Sequence, residues 1–252
     1  MSTLKLQRQH LGIWWWFFCW VRGAAPAFGR LFGDLRLERR GGWVAANPAV
    51  VAHLERTLRP MDILLERSGF RLTDRMIPGF FTHAAVYLGR FADIGELLDE
   101  AQSERWLTPL QQGDGYVLEA SRAGVRLLSL AQFLDVDELA VLRDTTLDAA
   151  ELLSLARLAL GQLGKAYNYN FDLCDKQRQF CSKLVAEVFA HRCFGDGTKR
   201  GPPTLLPDHI ADAALGMQEP LQPVFFSPCL MEGSPTHLRA ALARALLPTD
   251  LT

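Results

Sequence analysis

Apolar residues fall into three patterns along this chain, and each predicts a different kind of element. Short, nearly continuous apolar runs bounded by glycine, proline or polar clusters predict buried strands. MDILL at 61–65 and FFTHAAVYLG at 80–89 are two such runs, separated by a polar loop containing Gly69, Pro78 and Gly79. YVLEA at 116–120, VRLLSL at 125–130 and ELAVLR at 138–143 follow closely, with Ala123-Gly124 as a turn between the first two. Spacing this short calls for antiparallel pairing.

A second pattern has helical periodicity. Asn47-Pro48 reads as a cap followed by a first-turn proline, opening a helix that runs to Leu58 before Pro60 stops it. Residues 91–115 are an excursion that holds a helix at ELLDEAQSERW and ends in the turn Gly113-Asp114-Gly115; it is expected to wall one side of a cleft. An amphipathic helix spans about 147–163 and closes at Gly164. Leu184, Val185, Val188 and Phe189 form the stripe of a half-buried helix, which puts Cys181 at or beside its N-terminus. After a loop at 195–208, extended residues 221–226 precede a terminal amphipathic helix near 236–247.

The third pattern is LGIWWWFFCWV at 11–21, apolar around its whole circumference if helical. Eleven residues span only about 16 Å, against a hydrocarbon layer of roughly 30 Å, so the segment does not cross a bilayer alone. Its four tryptophans, with Lys5, Arg8, His10 and Arg22 at the edges, suit a membrane-contacting helix at the headgroup boundary. A signal peptide using Ala25-Pro26-Ala27, or a helix packed against the protein itself, remains open. The domain division expected is therefore a basic, Trp-rich segment at 1–45, a catalytic domain at 46–226 and a C-terminal helix at 227–252. Location stays open between cytoplasm and membrane surface, with periplasm following from a signal peptide.

Composition narrows the class. The 252 residues, 49% hydrophobic and 22% charged, describe a globular chain with room for a large core. A net charge of -1 excludes a global field for nucleic acid, although residues 1–45 hold seven basic side chains against two acidic ones. Five dispersed cysteines, an odd number, argue against a disulfide framework and leave at least one thiol free. Cys174, Cys181, His191 and Cys193 do not have a recognised zinc spacing. No phosphate loop or serine-hydrolase elbow is present, so neither metal nor cofactor is expected.

The remaining chemistry centres on Cys181. A cysteine at a helix start is helped toward thiolate by unpaired N–H groups and the helix dipole, and a nucleophilic thiolate needs a histidine held by a third polar group. Strand alternation puts His83 on one face with the small residue Ala85, in open surroundings. The same alternation plants Glu119 in an otherwise apolar strand, where burial requires a partner. His83 is the expected one.

These segments resemble the circularly permuted papain-like cysteine hydrolases of the NlpC-type superfamily, in the YiiX/YebB-like branch. MDILL resembles the family's opening strand, PGFFTHAAVYLG its histidine strand, VLEASRAGVRLLSL its acid strand and turn, GKAYNYNF its Gly-x-x-Tyr segment and QFCSKLV its cysteine helix. TLLPDHIADA resembles a proline-bearing helix start, and the match covers roughly 60–215 in the permuted order histidine, acid, cysteine. Met61 stands where the family has glycine. Lys183 replaces a glutamate and sets a cation one turn from the thiol, either lowering its pKa further or facing solvent.

The resemblance implies an α+β fold, with an antiparallel sheet packed against the helix of the nucleophile. It implies Cys181 as nucleophile, His83 as base and later acid, and Glu119 as the group that holds the imidazole. Tyr167, Thr82 and Ser182 are expected to meet substrate. The activity implied is amide or peptide hydrolysis through a thioester, including cell-wall peptide bonds. An acyl-lipid hydrolase or acyltransferase using the same triad is the alternative within enzymes, and a catalytically silent binding module the alternative outside them.

Overall fold

The computed structural model describes residues 41–69, 77, 79–108, 110, 115–194, 204–216, 219–229 and 234–247. The Trp-rich run at 11–21 lies outside them. Along the chain come α1 (Pro48–Thr57), β1 (Ile63–Arg67), β2 (His83–Gly89), α2 (Phe91–Ile94), α3 (Glu100–Trp106), β3 (Tyr116–Ser121), β4 (Gly124–Ser129) and α4 (Leu130–Phe133). They are followed by β5 (Glu138–Asp144), α5 (Ala149–Leu160), the two-residue strands β6 (Ala166–Tyr167) and β7 (Arg178–Gln179), α6 (Cys181–Val188), α7 (Pro207–Asp212), β8 (Leu221–Phe226) and α8 (Pro235–Leu246).

Six strands form one sheet in the order β4-β3-β2-β1-β5-β8, every pairing antiparallel. This is the α+β arrangement. The central strands are buried on both faces, which is why MDILL and FFTHAAVYLG read as continuous apolar runs rather than alternating ones. On one face Ile63, Leu65, Ala84, Val86 and Leu118 meet Leu184, Val185 and Val188 of α6, together with α5 and α8. On the other, Leu64, Ala85, Tyr87 and Val117 meet Val50 and Leu54 of α1 and Phe133 of α4. Each large side chain buried this way contributes about 1.5–3 kcal/mol.

Several predicted boundaries shift for identifiable reasons. The excursion helix is broken: α2 and a 3-10 turn (Gly95–Leu97) end before Asp99, whose side chain caps α3 in a box with Gln102. A cap residue with its own donors to satisfy starts a helix rather than continuing one. α5 ends at Leu160, and Gly164 instead turns the following loop at φ +81°. β1 begins two residues after Met61, which takes φ +70° while its N–H donates to the Tyr87 carbonyl at 2.7 Å. A methionine thus occupies a left-handed position suited to glycine, and its side chain is buried in the core.

Two buried ion pairs pin the sheet. Arg143 of β5 grips Asp62 with Nε and Nη2, each at 2.7 Å, and also donates to the Thr57 carbonyl. Arg192, just after α6, donates from Nε at 2.5 Å and Nη2 at 2.8 Å to Asp144 at the end of β5, and His191 lies 3.2 Å from the same carboxylate.

Candidate active site

The site sits where β2 parts from β3. Pairing of β2 with β1 includes His83 opposite Glu66, whereas pairing with β3 ends at Ala85 opposite Glu119. His83 and Ala84 therefore lie past the last rung on the β3 side, and α6 begins with Cys181 at that gap. The Ala84 N–H has no rung to join on that side, and it adds to the groups that lower the Cys181 thiol pKa.

Register also brings the acid to the histidine. His83 shares a face with Ala85, so Glu119 is its diagonal cross-strand neighbour, within reach of a long side chain. His83 Nε2 and Glu119 Oε2 are 3.0 Å apart, and the Cys181 thiol is the other group whose charge acts on the ring. Phe133 lies beside the ring at 6.4 Å between centroids. The carboxylate's second oxygen accepts from Arg126 Nε at 2.9 Å, across the pair that faces Glu119 with Arg126 on β4.

Charge in this cluster follows from those contacts. Burial opposes ionisation of every member, but the partners outweigh it. Hydrogen bonds to Cys181 and Glu119 hold the His83 pKa well above its ordinary value. The imidazole, its charge, the Ser182 hydroxyl and the Ala84 N–H together depress the Cys181 thiol. His83 and then Arg126 bring Glu119 down to about 2. Together these shifts favour a thiolate facing an imidazolium, anchored to an ionised carboxylate.

Of the residues expected to meet substrate, Ser182 is buried with Oγ 3.7 Å from the thiol. Tyr167 is half-buried, edge-on to Tyr169 and Phe171, and burial together with the nearby Cys181 charge pushes its phenol well above the usual range. Thr82 is buried and its hydroxyl points to the Glu66 carbonyl at 3.4 Å, so it belongs to the strand entry. Lys183 neither faces solvent nor pairs with the thiol. It is buried, with its ammonium donating to the Asp175 and Arg178 carbonyls and 3.4 Å from Glu187, so it ties down the loop before α6.

Two contributors escaped the sequence. Asp208, second residue of α7, accepts the Phe80 and Phe81 N–H groups, each at 2.8 Å, and so fixes the approach to His83. Gly79 packs against it at φ +118°, where a Cβ would come within 2.5 Å of the carboxylate. Arg126 was detectable in principle, because a turn at Ala123-Gly124 sets it opposite Glu119. Among the described residues no group of three or more His, Cys, Asp or Glu is arranged to hold a metal ion.

A cysteine opening a helix on an antiparallel sheet, with histidine and acid supplied by earlier strands, is the papain-like arrangement in permuted order. The family model described as permuted papain-like amidase enzyme, YaeF/YiiX, C92 family, matches residues 57–216, and the chain belongs to that family. That family is one of papain-like amidase enzymes of cysteine hydrolase type. Among solved structures it is similar to a crystal structure of metalloprotein yiiX from Escherichia coli O157:H7, at 20% identity and TM-score 0.40, over 53% of this chain and 65% of that one. No curated protein matches the chain significantly.

Proposed function

We propose that the chain hydrolyses amide bonds of peptide-like substrates, cell-wall peptides included, through a thioester on Cys181. The observation that carries this is the His83–Glu119 pair at 3.0 Å together with a Cys181 thiol that His83 depresses toward thiolate. The thiolate attacks the carbonyl carbon. The first-turn N–H groups of α6 face the developing oxyanion, since Phe180 at the helix cap offers no side chain to claim them. His83 passes its proton to the leaving amine, then takes one from water as that water attacks the thioester. Glu119 holds the ring and offsets its charge. Tyr167 and Ser182 border the thiol where substrate enters, while Thr82, turned to Glu66, is left out of this role.

The test is competitive alkylation followed by a substrate panel. Iodoacetamide should label Cys181 far faster than the exposed Cys174 and Cys193, and His83→Ala should erase the preference. Equal labelling in the wild type would support a silent binding module instead. Mass spectrometry after incubation with peptides and phospholipids then identifies the acyl donor. An acyl-enzyme formed from lipid alone would replace the amidase assignment with acyl-lipid hydrolysis or transfer.

We also propose that the domains divide at 1–45, 46–226 and 227–252, with residues 11–21 holding the catalytic domain at a membrane surface. Support for that role is compositional, from the tryptophans and flanking cations. No helix among the described residues is long and apolar enough to cross a membrane. Co-sedimentation with anionic vesicles, lost on deleting residues 1–45, is the expected result; undiminished sedimentation would refute it.

A further inference from the structure

Resting on the thiol-hydrolase assignment, we infer that Arg126 is a positioning residue of the reaction, acting through Glu119 on His83. A carboxylate that contacts an imidazole through one oxygen can still rotate and present either oxygen. Here it cannot do so freely. Oε2 faces His83 Nε2 at 3.0 Å and Oε1 accepts from Arg126 Nε at 2.9 Å, so both are engaged from strands on opposite sides of β3. The carboxylate side chain is only 8% exposed, which excludes most of the water that would otherwise take Oε1.

The guanidinium is differently placed. Its Nε is turned inward while the Arg126 side chain is 42% exposed, so it reaches the buried acid from the surface. A residue with half its side chain in water is a weak structural anchor, and removing it should leave the sheet intact. What is lost is the fixed plane of the carboxylate. That plane matters most when His83 works as a base, because the imidazole must then face an attacking water in one orientation.

p-Nitrophenyl acetate separates the steps. Cys181 Sγ bonds to the acetyl carbon as the carbon–oxygen bond to p-nitrophenolate breaks, and the His83 proton passes to the phenolate or to solvent, leaving the ring neutral. Water then gives a proton to His83 and attacks the thioester carbon. The carbon–sulfur bond breaks, the proton goes to sulfur, and acetic acid leaves. The first turnover appears as a burst and the second step sets the steady rate.

Arg126→Ala should keep a burst equal to that of the wild type while the steady rate falls by about tenfold or more. Millimolar guanidinium chloride, well below denaturing levels, should restore the rate by occupying the vacated surface site; ammonium chloride at equal concentration should not. Arg126→Lys, which keeps the charge without the Nε donor, should stay close to the alanine variant. A steady rate equal to the wild type in Arg126→Ala overturns the inference. So does a burst and a steady rate that fall together without rescue, the pattern of a purely structural residue. A wild type that forms no acetyl-enzyme on Cys181 overturns the hydrolase assignment itself, and is read before any variant is made.

Discussion

His83 and Glu119 meet diagonally across two strands, Nε2 to Oε2 at 3.0 Å, at the point where β2 leaves β3 to make room for the start of α6. That single separation of strands produces the whole site. It frees the Ala84 N–H from the β3 ladder and leaves Nε2 of the imidazole on the acid.

Glu119→Gln should therefore weaken the reaction without dismantling it. Its amide oxygen still accepts from the ring, preserving orientation, but the charge that stabilises imidazolium is gone. Turnover of an activated ester should fall about 10- to 100-fold, and Glu119→Ala should fall further because orientation goes too. Steady-state kinetics of the two variants provide the check; equal activities would mean that Glu119 does not hold the ring.

Acid should destabilise the fold through two carboxylates. Glu119 titrates at about 2 rather than 4.5, and Asp144, gripped by Arg192 and Thr146, at about 2 rather than 3.8. A lowered folded-state pKa contributes stability above the ordinary value, and that contribution disappears as pH falls through the folded value. Glu119 should be worth at most roughly 3 kcal/mol and Asp144 at most roughly 2 kcal/mol at neutral pH, lost between about pH 4.5 and 2. His83, whose pKa is raised, contributes below its ordinary value and loses that only as pH climbs through the folded value, so it does not mask the acid loss. Urea midpoints measured from pH 6 to pH 2.5 should fall, and Glu119→Gln and Asp144→Asn should each flatten the slope.

What the sequence disclosed was whatever repeats locally. Cys181 was marked by the stripe that follows it, His83 by alternation in its strand, and Glu119 by being an acid in an apolar run. Asp208 had no such mark, because its partners lie 128 and 127 residues earlier and only the packing of α7 brings them together. Lys183 was misjudged for a related reason: cations are seldom buried, and the carbonyls that permit it belong to an irregular loop. Met61 showed only as an unusual residue type, its positive φ being invisible without the turn.

Gly79 should be close to irreplaceable. Alanine there would have to hold φ +118° and place its Cβ 2.5 Å from the Asp208 carboxylate that secures Phe80 and Phe81. Strain of this kind costs about 1–3 kcal/mol before any loss of the two hydrogen bonds. Thermal unfolding should drop by several degrees in Gly79→Ala, and Asp208→Ala should show a comparable loss. An unchanged melting temperature in both would remove Asp208 from the supports of His83.

Lys183→Met probes the segment that leads into α6. The substitution keeps the bulk of a buried chain but removes the donor that now serves the Asp175 and Arg178 carbonyls, while Glu187 keeps its hydrogen bond from Gln179. Leaving these partly buried carbonyls to water costs less than the roughly 1–3 kcal/mol of a fully buried acceptor, and the apolar replacement suits the helix face. The fold should therefore survive while the loop before α6 loosens. Limited trypsin digestion reads this directly, since Lys176 lies in that loop and Arg178 opens β7 at its end. Cleavage there should accelerate several-fold in the variant, with the remaining sites cut at wild-type rates. A uniform acceleration would mean that Lys183 supports the whole domain rather than the loop.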